Sequence, residues 1–220
     1  MSKVKKFVLQ FTIAVCGVFV VLFGLTMFNR YLLRTFSLPW RMVLMIVTQW
    51  LFFLAPGILM LREKESIHDL GFTKEKILKQ ILIGVLLALV MSVILTVLPI
   101  LLGFKDFVGS TSYTQSWQFA YEFVYAIFGV ALAEELVFRG YLFHKLLEIK
   151  NSRWFAITIS SMLFGLFHIF SGNLMQIIMT AIIAFLYCIF REKVKDCTLL
   201  SLITAHGLYD ALLVLWVAYL

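Results

Sequence analysis

The sequence predicts an all-α protein, a polytopic bundle of transmembrane helices with its N-terminus in the cytoplasm. Three observations predict it. The chain has 220 residues and is 62% hydrophobic, where soluble domains run at about 45–50%, and its mean hydropathy is +0.98. The apolar residues come in runs of about twenty, the length a helix needs to cross a hydrocarbon core about 30 Å thick. Lys and Arg concentrate on alternate connecting segments. The formal net charge of +7 is therefore read as cytoplasmic loop charge, with no nucleic-acid partner expected.

The elements follow in order. MSKVKK precedes a first span at about 7–28, too long for a signal-peptide core and without a cleavage-type site. A second span covers about 40–61. Residues 62–80 form the most charged stretch, expected to lie at the membrane surface as an amphipathic segment. A third span covers about 81–103, and the polar segment 105–116 follows. The fourth starts near Trp117 and continues to about Leu147. The fifth, sixth and seventh cover about 154–170, 174–190 and 198–219. The count is seven, or eight if the long fourth helix breaks. With the N-terminus inside, fourteen Lys and Arg fall on inside segments and four (Arg30, Arg34, Arg41 and Lys105) on outside ones, a strong positive-inside bias. Cys16, Cys188 and Cys197 show no metal-type or redox-type spacing and read as small apolar residues.

Ionisable residues inside spans cost roughly 2.5–3.5 kcal/mol each and mark pairs or functional sites. They cluster in the second half. The fourth span carries Glu134, Glu135 and Arg139, the fifth His168, and the seventh His206 and Asp210. Residues four apart share a helix face, which joins Glu135 to Arg139, Phe164 to His168, and His206 to Asp210. Glu134 is turned about 100° from Glu135, so one carboxylate can pair with Arg139 while the other stays free to act as a base. Counted from the nearest inside cation, Glu134, His168 and His206 all lie roughly 16–22 Å from the inner edge of the core. Glu, His, His and Asp at one level can activate water, by metal ligation or by general base and electrostatic stabilisation.

Three motifs carry a resemblance. EELVFR (134–139), FGLFH (164–168) and HGLYD (206–210) occur in the order EExxxR, FxxxH and Hxxx followed by Asn or Asp. Together they resemble the type II CAAX prenyl endopeptidase and bacteriocin-processing family of intramembrane proteases, over about residues 117–219. The chain thus divides into N-terminal spans with the charged segment (1–116) and a catalytic-type helical core (117–220).

The resemblance implies that Glu134 activates the attacking water with the help of His168. It implies that His206 and Asp210 stabilise the oxyanion or, on an older reading, ligate metal, and that Glu135, Arg139 and Phe164 support the site. It implies a small bacterial member in the cell membrane. Such a member hydrolyses a peptide bond in a membrane-associated protein or small peptide, in peptide maturation or bacteriocin self-immunity. The alternative is a non-enzymatic immunity or scaffold protein of the same fold. Asp210 stands where the structurally understood members carry Asn, and an ionised Asp cannot donate to an oxyanion. No cofactor is favoured. If zinc is present, His168 and His206 are its candidate ligands, each from a different helix rather than from one HExxH face.

Overall fold

The computed structural model describes residues 2–109, 111, 113, 115–171 and 173–220. Residues 110, 112 and 114 of the expected polar segment lie outside the described residues. The described residues form eight helices: α1 (Lys3–Thr35), α2 (Leu38–Glu63), α3 (Ile77–Leu101), α4 (Lys105–Val108), α5 (116–149), α6 (Arg153–Phe167), α7 (Leu174–Lys193) and α8 (Leu199–Tyr219). Five of them, α1, α2, α3, α7 and α8, are long and apolar enough to cross a membrane. α5 is longer than any of these but carries Glu134, Glu135 and Arg139, and α6 is apolar but has only 15 residues. The chain has the make-up of a multi-pass membrane protein.

Local chemistry sets the helix ends. Ser152 Oγ accepts from the Phe155 amide at 3.4 Å to start α6, and Asn173 Oδ1 accepts from the Met175 amide at 2.9 Å to start α7. Thr198 and Ser201 form a reciprocal cap at the start of α8. In α2 a 3-10 turn spans Trp50–Phe53 just ahead of Pro56, whose missing N–H cannot serve the carbonyl four residues back. A π segment at Val93–Val97 stands in the same relation to Pro99 in α3.

The charged stretch 62–80 is mostly loop. α2 runs on to Glu63, α3 starts at Ile77, and a turn-rich loop lies between. Lys64 (φ 59°), Gly71 (φ 96°) and Lys76 (φ 51°) all take left-handed backbone there, which no continuous helix tolerates. Asp69 folds the loop on itself by accepting from the amide and hydroxyl of Ser66, and these bonds hold its carboxyl below the usual range. The first helix passes its expected end at 28, continuing through a π turn and a 3-10 turn to Thr35. Arg30 and Arg34 therefore stand on helix rather than on loop.

α8 lies at the centre. Half of its most apolar window (50%) is buried, against 17% in α2 and α7. Small residues let it approach its neighbours closely. A Cβ on Gly84 of α3 would come within 2.6 Å of the Ser201 carbonyl oxygen, and one on Gly207 of α8 within 2.8 Å of the Ile127 backbone in α5. Phe138, Phe164 and Phe167 pack around one another with centroids 5.1–6.4 Å apart, and Phe52 meets Phe167 edge-on at 4.7 Å. This wedge ties α2, α5 and α6 together. The remaining helix faces carry exposed Leu, Ile, Val and Phe, as lipid-facing surfaces do.

One end of the bundle is laced with ion pairs. Lys6 meets Glu63, and Lys145 meets Glu65 and, at 2.7 Å, Glu148. Lys76 and Lys79 hold Asp196 at 3.0 and 2.6 Å, and Arg153 holds Glu192 at 2.7 Å. The four segments read from charge as cytoplasmic thus converge at a single end.

Candidate active site

The site is built on an irregular stretch of α5. Leu132–Glu135 is a short α turn between two π segments, Tyr125–Ala131 and Leu136–Leu142. Wide π turns re-aim the side chains beside them and occur often at functional sites. The two adjacent glutamates take different partners. Glu135 Oε1 lies 3.0 Å from Arg139 Nη1 and accepts from His206 Nδ1 at 2.8 Å. Glu135 and Arg139 are both essentially inaccessible to solvent, a burial that is tolerated because each charge offsets the other. Glu134 has no such match. Its Oε2, like Glu135 Oε2, is buried with no hydrogen-bond partner among the described residues, but neither Glu134 oxygen pairs with Arg139, and His206 Nε2 is 3.8 Å away.

His206 is held on both sides. Its Nδ1 faces Glu135, and its Nε2 lies 3.3 Å from Asp210 Oδ2 one turn on. Asp210 thereby stands against the imidazole as an acceptor. His168 is the residue that ends α6, with φ −90° and ψ 14°. Its Nδ1 lies 3.0 Å from the Phe164 carbonyl oxygen. That oxygen can only accept, so Nδ1 carries the proton and a neutral ring keeps its lone pair on Nε2. Phe164 serves the whole group: the Arg139 guanidinium stacks over its ring at 4.1 Å, and the rings of His168 and His206 meet it at 5.0 and 5.9 Å.

Glu134, Phe164, His168, His206 and Asp210 line one cavity of about 1080 Å³. Glu135 and Arg139 sit behind its wall. All seven residues singled out in the sequence are thus neighbours. The sequence reading missed Tyr187 and Arg191, one turn apart on α7. The Tyr187 ring is fully buried, 6.0 Å from His206 and 5.8 Å from the Arg139 guanidinium. Arg191 donates to the backbone carbonyls of Arg139 and Leu70, tying α5 and the 64–76 loop to α7. A tyrosine and an arginine four residues apart in an apolar helix are the signal that could have found them.

Among the described residues, no three ligand atoms from Glu134, His168, His206 and Asp210 gather within 4.8 Å of one another. As they stand, these side chains do not fit a metal. The group that does gather is Glu65, His144 and Glu148, at the ion-paired end of the bundle. Lys145 lies between its two carboxylates, so a cation already fills that place.

With this geometry in view, residues 116–212 match the family model described as Rce1-like, type II CAAX prenyl endopeptidase. The chain carries an Rce1-like domain of that family. The match takes in α5, α6 and α7 and most of α8, which bear every residue of the site. Neither the curated proteins nor the solved structures gave a match. The Rce1-like family is a protease family, so its chemistry implies a protein substrate.

Proposed function

We propose that this chain is an intramembrane endopeptidase that hydrolyses a peptide bond in a membrane-associated protein or small peptide. The observation that carries the proposal is the inequality of the two adjacent glutamates. Glu135 has one oxygen engaged by Arg139 and His206 and lines no part of the large cavity, while Glu134, without an ion pair to Arg139, presents an unpartnered oxygen at that cavity's wall. A water held between Glu134 and His168 Nε2 gives a proton to the Glu134 carboxylate and attacks the peptide carbonyl. The new C–O bond places negative charge on the carbonyl oxygen, and His206 Nε2–H, oriented by Glu135 and Asp210, donates to it. Collapse of the intermediate breaks the C–N bond, and the proton on Glu134 passes to the leaving amine. Seven crossings, with the N-terminus and the ion-paired end in the cytoplasm of a bacterial cell, complete the reading.

Purified protein in detergent, incubated with a library of apolar quenched peptides, is expected to yield new N-termini detectable by mass spectrometry. Binding without cleavage by folded protein would instead favour a non-enzymatic scaffold. On the metal-free scheme, a chelator that strips zinc leaves the rate unchanged, and active protein carries well under one metal per chain. A stoichiometric metal whose removal abolishes cleavage and whose return restores it would reject that scheme.

A further inference from the structure

Glu134 and His168 border two cavities, not one. The second, of about 470 Å³, lies on the α1 and α2 side and runs from Asn29, Arg30 and Arg34 inward past Gln49. Among the described residues, the two cavities have only Glu134 and His168 in common. Beside these two, Gln49 of the smaller cavity donates a hydrogen bond at 3.3 Å to Tyr125 of the larger.

The cavities are opposite in charge. The larger is lined by Asp106, Glu122 and Asp210 besides Glu134, and by no Lys or Arg among the described residues. The smaller has Arg30 and Arg34 at its mouth and no acid except Glu134 at its inner end. Both arginines are exposed, and neither pairs with a carboxylate among the described residues. Their guanidinium groups are free to bind an anion, and the planar fork suits a carboxylate.

We propose, resting on the protease reading, that the substrate passes through this junction, with its apolar part in the larger cavity and a carboxylate held by Arg30 and Arg34 in the smaller. Arg30 and Arg34 are then specificity-determining residues, and the preferred substrate is an apolar peptide with a negative charge a few residues from the cleaved bond. The carboxylate is either an acidic side chain or a C-terminus. The larger cavity, rimmed by carboxylates, disfavours the same charge, so the direction of the chain through the site is set as well.

Four versions of one fluorescent apolar peptide separate these sources: Glu or Gln near the cleaved bond, each with a free or an amidated C-terminus. Cleavage and binding, the latter by fluorescence anisotropy, are measured on each with wild type, Arg30→Gln, Arg34→Gln and the double variant. The expected result is a preference of up to about fivefold for the charged peptide, the size of an exposed ion pair. It should appear in KM and in binding, shrink as salt rises, and vanish in the double variant while kcat stays. A Glu-over-Gln preference identifies a side-chain carboxylate, and a loss on amidation identifies a C-terminal one. If the arginines only anchor the helix to lipid headgroups, all four peptides behave alike in wild type and variants, and the proposal fails. A charge preference in binding without cleavage would keep the subsite and remove the protease reading. Cleavage without charge preference would do the reverse.

Discussion

Two clusters of histidine and carboxylate stand on the same helix, ten residues apart, and they differ in what fills them. Near the end of α5, His144 and Glu148 meet Glu65, and Lys145 sits against both carboxylates. In its middle, Glu134 and Glu135 meet His206 and Asp210, but the cation, Arg139, serves only Glu135. The first cluster is closed by its own lysine at a surface where Glu65 and Glu148 keep some access to solvent. Glu65, Glu134 and Glu135 each keep one oxygen without a hydrogen-bond partner, but of the three only Glu134 lines the two cavities of the site. Residue types alone do not make a site: the first cluster has the more compact ligand set and no vacancy, while the second has the vacancy.

That comparison can be broken in steps. The largest effect is expected from Arg139→Ala, which strands Glu135 in a dry interior and should cost about 3–5 kcal/mol, seen as lost yield and a lower melting temperature. Lys145→Ala removes the corresponding buried cation at the other cluster and should cost less than Arg139→Ala, because Glu65 and Glu148 keep some access to solvent and can turn to water. Equal losses in the two variants would erase the distinction between them. Asp210→Asn should change the cleavage rate by less than about tenfold, since the amide oxygen still accepts from His206. A complete loss would mean that the negative charge of Asp210 is itself required.

The smallest effect belongs to Asp196 at the ion-paired end. Hydrogen bonds from Lys79 and Lys76 draw its carboxyl down from an ordinary value of 3.8 to about 2. With the folded value below the unfolded one, this contribution is present above pH 3.8 and is lost as pH falls through about 2. Asp196→Asn should therefore melt at a slightly lower temperature than wild type at pH 5 and level with it at pH 2. A difference that persists at pH 2 would remove the lysine pairs as its cause.

Much of the site was legible because helix periodicity is local. Pairs four apart, such as Glu135 with Arg139 and His206 with Asp210, follow from spacing alone, and they are found 3.0 and 3.3 Å apart. That one of the two adjacent glutamates would face Arg139 and the other would not was legible. Which glutamate took the arginine followed from spacing, but the bond from His206 to Glu135 did not, because it depends on how α8 docks on α5. Tyr187 and Arg191 went unread for the same reason, as their importance lies in contacts to other helices. The loop form of 64–76 was not legible, because the left-handed backbone at Lys64 and Lys76 leaves no mark in composition. The smaller cavity went unseen because the first helix continues beyond the point where its hydropathy fades, carrying Arg30 and Arg34 with it.

The most direct measurement sets Glu134→Gln beside Glu65→Gln in one peptide-cleavage assay, with melting curves recorded on the same samples. Both changes remove a single carboxylate charge and keep the side-chain shape. Loss of a positioned general base lowers a rate by about 10²–10⁴-fold, so Glu134→Gln should fall by that much while it melts no lower than wild type. Glu65→Gln should cleave within about twofold of wild type. Cleavage at the wild-type rate by a well-folded Glu134→Gln protein, or its collapse in a well-folded Glu65→Gln protein, would contradict the assignment of the open cluster as the active site.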